Sequence, residues 1–253
     1  MTVSFSQATL IALLLSTARI VAWVTISPPF ATSGLPHSIK PVVAVGLALA
    51  VTPIAAAHAP AAQVTPLVDS LFSNLAIGIA LGFGTRLIFA AVESAGSLID
   101  LFGGFSLSFA LDPLSQNNTS IFGRFYGLLA TTLIFASQAH MLIIAGFLRT
   151  FQTFPLDASM SLSRLDQHLV PALTSMFVAA LQIAGPLIIV LFIADLAMGL
   201  LNRIAPQLNV FALSFPLKIM LTLGLVGLGF TLLPRTIESL ASQSVQLVSD
   251  VTG

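Results

Sequence analysis

The sequence predicts an all-α, polytopic membrane protein of about six long apolar helices arranged as antiparallel hairpins. Three observations predict it. Charged residues make up only 7% of the chain, against about 25% in soluble domains. Hydrophobic residues make up 57%, and the mean hydropathy is +1.02. Several apolar stretches reach the roughly 18–20 residues that cross a bilayer as a helix, whereas a membrane β-barrel would show alternating segments of roughly ten residues.

Six main apolar segments follow one another: Phe5–Ser27, Lys40–Ala57, Leu67–Val92, Phe125–Leu148, Leu173–Leu201 and Val210–Leu233. The first has no basic region before it and carries Arg19 late in its run, so it reads as a retained helix and not a cleaved signal peptide. A shorter apolar stretch, Ala95–Leu111, is rich in Gly and Ser. It is expected to form a separate half-length, interfacial or re-entrant helix. Prolines punctuate the connectors "SPPFATSGLPHSIKP", "HAPAAQVTP", "QTFPLDASMSLSRLDQHLVP" and "NRIAPQLN", because proline ends helices and biases the residue before it toward extended backbone. Short connectors imply antiparallel neighbours. The tail Arg235–Gly253 is polar and helix-compatible, and is expected to leave the membrane.

Nine Lys and Arg balance nine Asp and Glu. No basic patch exists for a nucleic-acid partner. With the N-terminus outside, the inner loops hold Lys40, Arg124 and Arg203, and the outer loops Arg149, Arg164 and Arg235. The positive-inside rule therefore gives no orientation. Either the spans differ from these, or the helices do not end as an ordinary lipid-embedded bundle.

No cysteine is present, which excludes disulfides, iron–sulfur clusters and thiol catalysis. No nucleophile elbow, zinc-protease helix, phosphate loop or dinucleotide fingerprint occurs. His37, His58, His140 and His168 are widely separated, so no metal site is expected. The sequons at Asn117 and Asn118 matter only in a eukaryotic secretory lumen and are read as chance. The chain is not expected to be an enzyme or to carry a cofactor.

Arg19, Arg86, Glu93, Asp100, Asp195 and Lys218 lie within or beside apolar segments. Such charges normally face protein or water. Their plain reading is interhelical polar contact; the sharper ones are an aqueous path or a proton relay. Arg86, Glu93 and Asp100 recur every seven residues and so share a stripe on a continuous helix, yet stand too far apart to touch. Gly78 and Gly82 in "GIALGFG" have the spacing that lets helix backbones approach, and "GLVGLGF" (Gly224, Gly227, Gly229) is similar. One stretch is out of character. "GGFSLSFALDPLSQNNTS", Gly103–Ser120, runs from apolar residues through Asp112-Pro113 into a small, polar, uncharged string.

The C-terminal third, "IADLAMGLLNRIAPQLNVFALSFPLKIMLTL" (Ile193–Leu223), resembles the signature of the FliR family of flagellar export-gate proteins, whose relatives include the T component of virulence type III systems. "ARIVAWVTISPPFATSGLPHSIK" is similar to that family's first hairpin, and "FGRFYGLLATTLIFASQAHMLIIAGFLRTFQTFPL" to its middle helix, with Ala139 a mild departure before His140. The resemblance spans essentially the whole chain and favours the flagellar branch.

The resemblance implies a single export-gate domain. Roughly residues 1–172 correspond to a FliP-like part and 173–253 to a FliQ-like hairpin with its tail. It also implies assembly with FliP and FliQ at the bacterial inner membrane, within the flagellar basal-body ring. FlhA and an FlhB-like switch protein are implied neighbours, and unfolded flagellar subunits the cargo. The gate then sits largely above the membrane plane, which accounts for the failed orientation test. The segment 105–120 corresponds to the family's plug loop. In it Phe105, Leu107, Phe109 and Leu111 would supply an apolar seal, while Ser106, Asp112, Pro113, Ser115, Gln116, Asn117 and Asn118 form a polar part that is displaced at low cost. The "LNRIAPQLN" turn, with Asn202 and Arg203, and Lys218 are expected at the cytoplasmic entrance or a hairpin junction. Asp195 and Arg203 are expected to pair between helices or subunits. A six-helix secondary transporter is the competing reading, with Pro186 and Gly82/Gly84 as candidate helix breaks. A poreless assembly factor is a third.

Overall fold

Each long apolar run becomes a helix, because backbone polar groups within an apolar segment must be satisfied inside it. The computed structural model describes residues 6–28, 30–31, 36, 38–105, 120–158, 162–207, 209–230 and 233–252, and the regular elements among them are all helical. They are α1 (Gln7–Ile26), α2 (Ile39–Ala55), α3 (Val64–Gly103), α4 (Ile121–Ala136), α5 (Ala139–Thr153), α6 (Leu162–Ile204), α7 (Val210–Phe230) and α8 (Leu233–Thr252), with a 3₁₀ turn at Ala56–His58. By length and composition, α1, α2 with its turn, α3 and α6 are each able to cross a membrane, as are α4 and α5 if taken as one bent span. The apolar stretch of α7, Ala212–Gly227, is shorter.

Three expectations about spans are corrected. The start of the Ala95–Leu111 stretch is not separated from Leu67–Val92: α3 runs unbroken for 40 residues to Gly103, about 60 Å at about 1.5 Å per residue, and residues 106–111 of that stretch lie outside the described residues. The Gly and Ser that suggested a break serve close packing instead, since Gly96 lies under the backbone of Phe122 and Gly123 in α4. The segment Phe125–Leu148 is not one helix. It bends by 79° between α4 and α5, at Gln138, whose φ of 59° is left-handed. The supposed connector before Leu173 is partly helix, since α6 begins at Leu162 and continues through Pro171 and Pro186.

The chain forms two compact units. One comprises Met1–Ile88, Ile134–Leu173 and Glu238–Gly253; the other comprises Phe89–Leu133 and Thr174–Ile237. In the first, α1 packs against α2, and α2 also meets α5. Gly78 and Gly82 of α3 press onto α1: a Cβ at Gly78 would overlap the Arg19 carbonyl, and one at Gly82 would stand 3.1 Å from that of Trp23. Trp23 stacks on Phe147 with centroids 4.2 Å apart. The tail is an amphipathic helix that buries Leu240, Ala241, Ser244 and Val248, with Leu247 against Gly84 and Val245 against Gly146.

In the second unit, α6 and α7 join the end of α3 and the start of α4. Among the described residues, the glycines of "GLVGLGF" bring no backbones together. Among those residues a Cβ at Gly224 or Gly227 would meet nothing within 4 Å, and one at Gly229 would stand 3.1 Å from the Tyr126 hydroxyl.

Candidate functional site

The polar stretch singled out in the sequence springs from a stem in the second unit. There α3 ends at Gly103. Gly104 follows with φ of 84°, a left-handed conformation that glycine adopts without steric cost. The Phe105 N–H then donates to the Asp100 carbonyl at 3.1 Å, the six-to-one closure of a Schellman cap. Gly103 is hemmed in by Thr222 of α7, whose Oγ1 would stand 2.7 Å from a Cβ there.

The chain re-enters helix at Ser120. Its Oγ accepts the Gly123 N–H at 2.8 Å, as an N-cap serine does. The same hydroxyl donates to Asp100 Oδ2, and the Phe122 N–H donates to that oxygen at 3.0 Å. A carboxylate beside the first turn of α4 also meets the positive end of its dipole. Phe105 and Phe122 pack edge to face at 5.1 Å. Asp100 is 3% exposed, and its Oδ1 has no hydrogen-bond partner. One residue thus meets both the turn after α3, by its carbonyl, and the start of α4, by its carboxylate. Of the expected plug residues, Phe105 is in this stem. Ser106, Leu107, Phe109, Leu111, Asp112, Pro113, Ser115, Gln116, Asn117 and Asn118 lie outside the described residues.

A second polar cluster marks the α6–α7 hairpin. Lys218 Nζ lies 2.6 Å from Asp195 Oδ1, with Lys218 mostly covered and Asp195 half-exposed. Asp195, Gly199, Asn202, Gln207 and Asn209 line a groove beside it. Asn209 starts α7, its Oδ1 accepting the Ala212 N–H at 3.2 Å. Arg203 is exposed in the last turn of α6, where a cation meets the negative end of the helix dipole.

Arg19 belongs to the other unit and is fully buried. Its Nε donates to Asn74 Oδ1 at 2.9 Å and its Nη1 to the Phe154 carbonyl at 2.8 Å. The guanidinium also lies over the Phe151 ring, 4.5 Å from its centroid. Arg86 and Glu93 are exposed on α3. The seven-residue stripe that linked them to Asp100 therefore does not become a charge chain; Asp100 turns to the stem.

Sequence reasoning did not find Ser120, Phe122, Gly96, Gly123 or Asn74 as contact residues. The Ser120-to-Gly123 cap spacing was a usable signal. The Gly96–Gly123 approach and the Asn74–Arg19 pairing join distant parts of the chain, which no local pattern announces.

Residues 10–244 match the family model described as "Bacterial export proteins, family 1". The flagellar biosynthetic protein FliR of Escherichia coli (strain K12) is 33% identical over 239 residues, 92% of this chain and 89% of that protein. FliR of Pectobacterium carotovorum subsp. carotovorum is 31% identical over 238 residues, with the same coverage of each chain. The surface presentation of antigens protein SpaR of Shigella flexneri is 28% identical over 156 residues, 62% of this chain and 60% of that protein. A family match along nearly the whole length, with relatives of this identity aligned almost end to end, makes the chain a member of bacterial export protein family 1, the family of the flagellar biosynthetic protein FliR.

Proposed function

We propose that this chain is a structural channel subunit of the flagellar type III export gate. It assembles with FliP and FliQ at the bacterial inner membrane, in the basal body beside FlhA and an FlhB-like protein, and forms part of the conduit for unfolded flagellar subunits. The observation that carries the reading is the family match over residues 10–244. The flagellar branch is favoured because the FliR proteins of Escherichia coli and Pectobacterium carotovorum are 33% and 31% identical over 92% of the chain, whereas SpaR is 28% identical over 62%. Residues 1–172 act as the FliP-like part and 173–253 as the FliQ-like part.

Two features of the structure fit this role. Phe192, Ile193, Leu196 and Leu200 of α6 are all more than half exposed. An apolar row of that size needs lipid or other subunits to cover it, and sister subunits of a gate would do so. The end of α3 and the start of α4, which flank residues 106–119, are joined through Asp100, which fits a plug placed between them. The transporter reading gains nothing from its candidate breaks, because α3 is unbroken through Gly82 and Gly84, and α6 through Pro186.

Native mass spectrometry tests the proposal on protein extracted gently from cells that also express its neighbouring membrane proteins. The expected result is one discrete complex with one copy of this chain and several copies of two other small membrane proteins. Recovery as a lone chain or a homodimer overturns it.

A further inference from the structure

Tyr126, on α4, is the one tyrosine of the chain. It is 2% exposed, yet its hydroxyl has no hydrogen-bond partner among the described residues. Buried tyrosine hydroxyls usually find one. The hydroxyl lies beside Gly229 of α7, where a Cβ would stand only 3.1 Å from it. Because glycine places no side chain there, room is left. Both residues line a cavity of about 190 Å³. Its other walls are apolar, with Ile99 of α3, Leu187 and Val190 of α6, and Leu225 and Val226 of α7. All of them belong to the second compact unit.

We infer that this cavity is a binding site for a small neutral molecule, ring-sized and apolar except for one oxygen that accepts a hydrogen bond from Tyr126. An aryl ketone has that chemistry. The ligand touches four helices at once and so fastens α4 to α6 and α7. The site goes beyond the gate reading and does not depend on it.

Size, charge and polarity each narrow the occupant. An apolar cavity of about 150 Å³ is large enough for benzene, so this one admits a ring with a short substituent and not the glycerol of a lipid. The walls carry no charged residue, and burying an unpaired charge there is prohibitive. Water is poorly served, since it needs two to four polar partners and the walls offer one side-chain donor. The end of a lipid chain, all hydrocarbon, would leave the hydroxyl unpaired. A ketone oxygen satisfies it while its ring fills the rest.

The test uses the full chain, extracted with its neighbouring membrane proteins and placed in lipid nanodiscs. Two probes of similar size are compared: para-fluoroacetophenone, which has a carbonyl, and para-fluoroethylbenzene, which has none. Fluorine NMR line broadening is titrated for each, and protein-free nanodiscs correct for partition into lipid. The expected result is saturable binding of the ketone, with a Kd about tenfold below that of the hydrocarbon, the worth of one hydrogen bond. Tyr126→Phe removes only the hydroxyl, and should bring the ketone to the affinity of the hydrocarbon. Val226→Phe fills the cavity and should abolish saturable binding of both probes. Val190→Phe fills it from α6 and serves where the first filling variant does not assemble. Equal ketone affinity in the natural chain and in Tyr126→Phe overturns the site, as does ketone binding that survives the filling variants. The absence of saturable ketone binding to the natural chain overturns it too.

Discussion

The Arg19 guanidinium donates to Asn74 Oδ1 at 2.9 Å, and the Asn74 amide in turn donates to the Leu156 carbonyl at 2.9 Å. Arg19 also reaches the Phe154 carbonyl. The two side chains thus tie α1 and α3 to the chain just beyond α5, at the negative end of that helix, where a cation is favoured. A fully buried arginine is tolerable here because carbonyls, an amide and the Phe151 ring replace its water.

Replacing Arg19 by Ala is therefore expected to be severe. It orphans the Asn74 carbonyl and the Phe154 carbonyl, at about 1–3 kcal/mol for each buried group left unmade. Arg19→Lys should recover only part, because an ammonium cannot reproduce the planar fork. Thermal inactivation of the detergent-extracted complex reads the effect. Arg19→Ala with an unchanged midpoint would contradict the network's role.

The glycines make a paired prediction. Gly78→Ala places a methyl group into the Arg19 carbonyl and 2.9 Å from the Ala22 Cβ, and should cost about 1–3 kcal/mol by overpacking. Gly224→Ala meets open space and should be neutral, or stabilising by up to about 1 kcal/mol through helix propensity. Both are read on the chain alone in detergent by thermal unfolding. Equal effects would refute the assignment of close backbone contact to Gly78 and open space to Gly224.

The bend between α4 and α5 rests on Gln138, a non-glycine residue with left-handed backbone. The neighbouring His140 Nδ1 lies 3.3 Å from the Ile134 carbonyl, one of those left over where α4 stops. Left-handed geometry costs an L residue roughly 1–2 kcal/mol. Gln138→Gly should raise the unfolding midpoint, whereas Gln138→Val, β-branched, should lower it clearly. The reverse order would mean that the bend is not fixed there.

These particulars show what the sequence can and cannot announce. The apolar runs were readable because their composition alone demands helices, and the resemblance in Ile193–Leu223 led to a family that the whole-chain match bears out. The ends were not readable. Gly96 and Ser97 look like a break and are a crossing point, a distinction that depends on Gly123 in another helix. The Gln138 bend carries neither glycine nor proline at its left-handed residue. Asp100 reads in the sequence as an intrahelical charge, but its partners lie 20 and 22 residues on, beyond any helical periodicity.

The Asp195–Lys218 pair supplies the last prediction. Lys218 sits in an otherwise apolar turn of α7 and is mostly covered, with Asp195 at 2.6 Å. An exposed pair is worth about 0–1 kcal/mol, whereas a lone charge at a helix centre in a bilayer costs about 2.5–3.5 kcal/mol. The pair lies between these limits, because Asp195 is half-exposed. Asp195→Leu alone strands the lysine and should sharply lower the yield of assembled complex. Asp195→Leu with Lys218→Leu removes both charges and should restore much of it, since a buried pair is often replaceable by apolar residues. Asp195→Lys with Lys218→Asp should also restore assembly if attraction alone matters. Measured as complex recovered per cell, a double apolar variant as poor as the single one would mean that the charges serve something beyond each other, with the adjoining groove at Asn202, Gln207 and Asn209 the next place to mutate.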